Sequence, residues 1–130
     1  KAIDRLQKEA EKKQLMCRVL VEVNIAQEAT KSGIGEAEAL QLVRQVSALP
    51  NLQVCGLMAI EPPVDVPEEN RPYFREMRRL ASEIDKLGLP RVQMKELSMG
   101  MTGDFEVAIE EGATMVRVGT AIFGQRTKPV

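Results

Sequence analysis

The chain has 130 residues, a formal net charge of −1, 3% aromatic residues and no histidine. That length suits one ordinary domain or a piece of a larger one, and the near-neutral charge leaves no electrostatic footprint for nucleic acid. Without histidine the commonest general base and metal ligand are missing, and no signal peptide or apolar run of membrane-spanning length is visible. The 44% apolar content is that of a globular protein, with a core built from Leu, Val, Ile, Ala and Met. Cys17 and Cys55 lie in separate apolar runs with no metal or redox spacing. They read as buried, reduced thiols of a cytoplasmic protein. The chain opens on Lys1 without a methionine, which reads as a fragment or trimmed chain.

Residues 1–13 are charged, with Ile3, Leu6 and Ala10 at helical spacing. Residues 15–25 read as a mostly buried strand ending near Asn24, followed by a polar loop from Ala26 to Gly35. Residues 36–48 predict an amphipathic helix with Ala39, Leu42, Val43 and Val46 on one face, stopped by Pro50-Asn51. A second strand is expected over 52–60. Three prolines between Glu61 and Pro67 predict a loop without regular structure. From Pro72 to Lys86 a longer helix carries Tyr73, Met77, Leu80, Ile84 and Leu87, and Gly88 and Pro90 end it.

A third strand is expected over 93–99. Thr102 is a candidate N-cap for a helix bearing Phe105, Ala108 and Ile109, closed by Gly112. A fourth strand follows over 114–118, and Ala121-Ile122-Phe123 begins a further helical turn. Strands alternating with helical crossovers predict an α/β fold, a parallel sheet of βαβ units. Four strands make either an open sheet or half of a (β/α)8 barrel, which when complete needs about 250 residues.

The stretch 97–124, LSMGMTGDFEVAIEEGATMVRVGTAIFG, is the most informative. Two short apolar runs end in small residues, Gly100-Met101-Thr102-Gly103 and Gly119-Thr120. Bare backbone N–H groups at strand ends are where α/β folds hold phosphate. Arg117 stands inside the second run, where its charge needs a partner. A ligand that is phosphorylated and carries a ring within reach of the arginine fits this pattern.

This stretch resembles the C-terminal signature of the pyridoxal phosphate homeostasis proteins, the YggS/PROSC type. Val23-Asn24-Ile25 with Lys31-Ser32-Gly33-Ile34, then Gly56-Leu57-Met58-Ala59-Ile60, then the Arg75–Leu80 helix match in the same order. The resemblance covers nearly all of the chain. It implies the C-terminal half, about four strands, of a TIM-like barrel related to the N-terminal domain of alanine racemase. It also implies a non-catalytic protein that binds pyridoxal 5′-phosphate (PLP) and buffers or delivers it. The lysine that holds PLP covalently in the family lies on an early strand before the region covered. Lys31 and Lys95 do not match that position, so this chain is expected to lack the covalent anchor.

The resemblance places the Arg117 guanidinium near the pyridine nitrogen of PLP, where a second positive charge disfavours protonation of the ring. The alternative is a salt bridge with a carboxylate such as Glu22. Gly119 and Thr120 offer phosphate contacts, with tight turning at Gly119 as the alternative reading. In barrels the phosphate commonly sits in the loops after strands seven and eight. Thr102, where many relatives have serine, either caps its helix or also donates to phosphate. Ser98 is a core hydroxyl or a ligand, Met101 packs against the ring or the barrel core, and Asn24 contacts ligand or closes a turn. Asp104 favours the helix dipole, and no residue is assigned to catalysis or to a metal. A PLP-dependent racemase-like enzyme is the competing reading. It needs a second proton-transfer residue, usually a tyrosine, and Tyr73 on a helix is the only one. A fragment without PLP affinity is the third reading. Opening a barrel is also expected to expose two strand edges and an apolar inner face, favouring self-association or pairing with a missing N-terminal half.

Overall fold

The computed structural model describes residues 2–26, 33–119 and 122. Its elements run α1 (Ala2–Lys12), β1 (Cys17–Val23), α2 (Glu36–Ser47), β2 (Leu52–Ala59), α3 (Arg71–Lys86), β3 (Val92–Met101), α4 (Phe105–Glu110) and β4 (Met115–Arg117). The four strands form one parallel sheet in the order β1-β2-β3-β4. The α/β reading and the alternation of elements therefore hold. Of the expected turn at residues 121–123, Ala121 and Phe123 lie outside the described residues. No described helix is long and apolar enough to cross a membrane.

Helices α2, α3 and α4 turn their apolar stripes toward the same side of the sheet. Val21, Val23, Val54, Leu57, Ala59, Leu97 and Met99 meet Ala39, Val43 and Val46 of α2, Phe74, Met77, Leu80 and Ile84 of α3, and Val107 and Ala108 of α4 in one core. On α3 the innermost aromatic residue is Phe74, whereas Tyr73 is half-buried at the core's margin. On α4, Val107 and Ala108 are buried while Ile109 is 52% exposed. A helix of barely two turns gives too few repeats to define its face from spacing.

α1 departs from its expected face in a similar way. Ala10 is buried and Ile3 packs against the core, but Gln7 is buried too and Leu6 is 38% exposed. An amide clamp adds to the apolar docking: Gln7 Nε2 donates to Asn51 Oδ1 (3.0 Å) and Asn51 N donates to Gln7 Oε1 (2.9 Å). Asn51 Nδ2 also donates to the Leu15 carbonyl at 2.9 Å. The same region fixes where β1 begins. Cys17 N donates to Asn51 O at 2.8 Å, and Leu15 and Met16 remain 56% and 51% exposed. The segment between Glu61 and α3 also departs from expectation, because Pro67–Asn70 winds into a single 3₁₀ turn with proline in its first turn.

Among the described residues no helix packs on the other side of the sheet. Arg18, Leu20, Gln53, Cys55, Gln93, Lys95, Glu96 and Met115 line an open cavity of about 410 Å³ there. This face is mixed and charged, which corrects the expectation of an apolar inner face. The neighbouring strands come closest at Gly56, where the ladder is irregular between Val54 and Gly56. A Cβ on Gly56 would stand 1.8 Å from the Glu96 carbonyl oxygen. That irregularity sets the register that brings Ser98 opposite Met58 and, one strand further, opposite Met115.

Candidate functional site

The carboxyl ends of the strands gather most of the expected site residues. Arg117, the last residue of β4, is half-buried and reaches back across the sheet. Its Nη1 donates to Ser98 Oγ at 2.6 Å and its Nη2 to the Ala59 carbonyl at 2.5 Å. One guanidinium thus ties β4 to β3 and β2, using the planar fork that only arginine offers. Both acceptors are neutral, and Arg117 has no carboxylate partner among the described residues, Glu22 included. The alternative reading, a salt bridge with a carboxylate such as Glu22, is therefore not seen among the described residues, where the guanidinium is held by neutral acceptors. Ser98 is a buried hydroxyl engaged by that arginine.

Met101 stands beside Arg117 in the ladder and is half-buried. Thr102 and Gly103 form the turn after it, with Thr102 half-buried and Gly103 exposed. Thr102 is not the cap of α4. The residue preceding the helix is Asp104, and its carboxylate bonds backward to Met101 N (2.8 Å) rather than into the helix. Asp104 N in turn donates to Met101 O at 3.1 Å, closing the turn. Asp104 is 5% exposed and also accepts from Asn70 Nδ2 at 2.8 Å, so it pins the turn rather than serving a surface dipole role. Gly100 just before has φ +102°, and a Cβ there would approach Ala108 Cβ to 2.7 Å.

Gly119 is exposed with open space where a Cβ would be. Packing within the described residues does not require glycine there. Asn24 follows β1 at the same end of the sheet, and its backbone N–H donates to Ile34 O at 2.8 Å. Thr120 and Lys31 lie outside the described residues.

Two residues of this region escaped the sequence reading. Glu61 follows β2 and is 1% exposed, and Asn70 ends the 3₁₀ turn fully buried. Gly100 N donates to Glu61 Oε1 at 3.4 Å, and Asn70 Nδ2 donates to Pro62 O and Asp104 Oδ2, each at 2.8 Å. Burial, and then a hydrogen bond with Asp104, push the Glu61 carboxyl up to about 7. The available signal was an acidic residue closing an apolar strand directly before Pro62-Pro63, a place where solvent exposure is the ordinary expectation. Nearby, Arg71 fastens the start of α3 to the end of α4 through Glu111 and Glu110, each at 2.6 Å, and also binds Glu68 at 2.7 Å.

With this geometry in view, the relatives can be placed. The family model described as alanine racemase, N-terminal domain, matches residues 1–127. Proteins named pyridoxal phosphate homeostasis protein match at 47% identity over 123 residues in Aquifex aeolicus, covering 95% of this chain and 53% of that protein. The Haemophilus influenzae protein of the same name is 44% identical over 126 residues, covering 97% and 53%. The chain spans about half the length of these curated relatives. Among solved structures, PipY of Synechococcus elongatus without PLP superposes with a TM-score of 0.82 at 33% identity, covering 94% of this chain and 56% of PipY. PipY with PLP bound gives 0.79 at 32%, covering 93% and 55%. An alanine racemase of Clostridium difficile, at 15% identity and a TM-score of 0.73, shares the fold alone; it covers 98% of this chain and 34% of the racemase. The four-stranded parallel sheet and the match over nearly its whole length together show that this chain belongs to the alanine racemase N-terminal domain family.

Proposed function

We propose that this chain is the C-terminal half of a PLP-binding barrel and supplies the phosphate and ring-nitrogen side of the site, in a cytoplasmic protein that holds PLP without catalysing a reaction. The observation that carries this reading is Arg117, an uncompensated guanidinium fixed at the strand ends by Ser98 and Ala59. Its neighbours fit the rest of the ligand. The Met101–Asp104 turn and Gly119 offer backbone and hydroxyl donors for a phosphate ester, and PipY, a relative over the same region, is a structure with PLP bound. When bound, PLP supplies an electron-withdrawing ring, and an arginine beside the ring nitrogen weakens that ability.

The covalent anchor is what the described residues do not offer. Lys95 lies on β3 six residues before its end at Met101, roughly 20 Å below the strand ends, and it lines the open cavity on the uncovered face. PLP binding is therefore expected to be weak and reversible. The test is titration with PLP, borohydride reduction and intact mass. Saturable binding without a covalent adduct supports the reading, whereas a stoichiometric adduct on one lysine places the anchor within this chain. Alanine racemisation above the rate of free PLP would favour the enzyme reading instead, which otherwise rests on a shared fold at 15% identity.

Among the described residues β4 has one side without a strand partner, the outer side of β1 is met only by a single bridge from Ile34 to Val23, and the cavity face lacks a covering layer. We infer that further strands complete this sheet in a protein of the relatives' length, and that the isolated chain pairs its edges with a second copy. Light scattering in dilute solution is expected to give a mass above the monomer; a monodisperse monomer overturns this inference.

A further inference from the structure

Glu61, Asp104 and Asn70 form a buried polar cluster directly beneath the Gly100–Asp104 turn. Acceptors outnumber donors in it. The donors are Gly100 N, Met101 N and the Asn70 amide, and they serve Glu61 Oε1, Asp104 Oδ1, Asp104 Oδ2 and Pro62 O. Glu61 Oε2 and Asn70 Oδ1 are left buried without a donor. No basic side chain answers either carboxyl among the described residues, since the nearby Arg71 is committed to Glu68, Glu110 and Glu111. Two carboxylates cannot both stay charged in such a place, because each repels the other and burial penalises both. One proton relieves the repulsion and gives the pair a donor of its own.

We propose that Glu61 holds a proton beside Asp104 and that the two act as positioning residues for the Gly100–Asp104 turn, which then holds a phosphate ester most tightly while Glu61 is protonated. The inference rests on the reading of that turn as the phosphate end of the PLP site. The structural link is direct: Glu61 holds Gly100 N, Asp104 holds Met101 N, and those amides define the course of the turn. Losing the proton to solvent adds a second negative charge under the phosphate and pushes the two carboxylates apart. Burial and the Asp104 neighbour place that loss at about pH 7. The fraction of protein able to hold the ester then falls by up to about tenfold per pH unit above the midpoint.

Two measurements test this. Carboxyl carbon NMR of the ligand-free protein is expected to show Glu61 titrating near neutrality. Asp104→Asn removes the charged neighbour and should lower that midpoint, leaving it above the ordinary value because burial remains. Titration of wild-type Glu61 in the ordinary carboxylate range overturns the retained proton, and this arm needs no substitution to fold. PLP affinity is then measured from pH 6 to 8.5 for the wild type and for Glu61→Gln, whose amide keeps a donor at every pH. Because PLP titrates too, the ratio of the two affinities is read. It is expected to shift by at least about tenfold in favour of Glu61→Gln across that range, and a constant ratio overturns the link to the ligand. Absence of PLP binding in both proteins overturns that link together with the function on which it rests, while the NMR midpoint still decides the pair.

Discussion

Gly56→Ala is expected to stop this chain from reaching its native sheet. The added methyl group would lie 1.8 Å from the Glu96 carbonyl oxygen, 2.7 Å from its carbonyl carbon and 3.0 Å from its Cα. All three are backbone atoms, so no flexible side chain can move aside. Relief requires β2 and β3 to separate at the point where their register shifts. Ordinary overpacking costs about 1–3 kcal/mol, and a collision with backbone belongs above that range, at about 4 kcal/mol or more. That is a large part of the roughly 5–15 kcal/mol that stabilises a domain. Far-UV circular dichroism and urea unfolding read the effect. Gly35→Ala is the control, since Gly35 has nothing within 4 Å of its Cβ position and an ordinary φ of −68°; it should change stability by under about 1 kcal/mol. A Gly56→Ala protein that unfolds at the wild-type urea midpoint would show that the strands do not approach this closely.

The same glycine shows where sequence reading stops. Alternating strand and helix patterns gave the element order because each βαβ unit carries its own local period. Gly56 sits inside LQVCGLMAI as a small residue in an apolar run, and nothing local says that Glu96, forty residues on, needs its space. Arg117 was legible for the opposite reason: a charge within MVRVG contradicts its surroundings and demands a partner. The partner itself was not legible. Ser98 Oγ and Ala59 O are chosen by the register of three strands, which composition does not encode.

Asp104 and Thr102 illustrate a subtler miss. Both residue types cap helices, and their positions differ by two, so spacing alone could not choose between them. The structure selects Asp104 because Asn70 reaches it from the 3₁₀ turn before α3 and because Met101 N folds back onto it. Glu61 was overlooked since an acidic residue before two prolines resembles a surface loop. Its burial follows from Asn70, whose amide draws the Pro62 carbonyl inward. Polar clusters assembled from two connections some thirty-four residues apart, as Asn70 and Asp104 are, are invisible to a local window of sequence, and here they lie at the site.

Arg117→Met is expected to produce the largest loss of ligand affinity of any single change at this site. The substitution retains an unbranched apolar stem and removes both donors and the charge. Ser98 Oγ and the Ala59 carbonyl then lose their hydrogen bonds, one to a buried side chain and one at the end of β2. Charge-assisted bonds of this kind are worth about 1.5–3 kcal/mol each. Arg117 is half-buried, so water replaces part of both bonds, and a net stability loss of about 1–3 kcal/mol is expected, small enough to leave the domain folded. The proposed contact with the ring nitrogen is lost as well, so PLP affinity should fall by roughly ten- to a hundredfold. Arg117→Lys separates charge from geometry, because an ammonium keeps the positive charge but cannot span Ser98 and Ala59 with one planar group. If the charge alone matters, lysine restores most of the affinity; if the fork matters, it restores little. The absorbance of bound PLP against pH gives an independent readout: removing the guanidinium should raise the pH at which the ring nitrogen loses its proton, since one opposing positive charge is gone. Unchanged PLP affinity in a folded Arg117→Met protein would reduce Arg117 to a strut between strands, and the site would have to be sought elsewhere on the sheet.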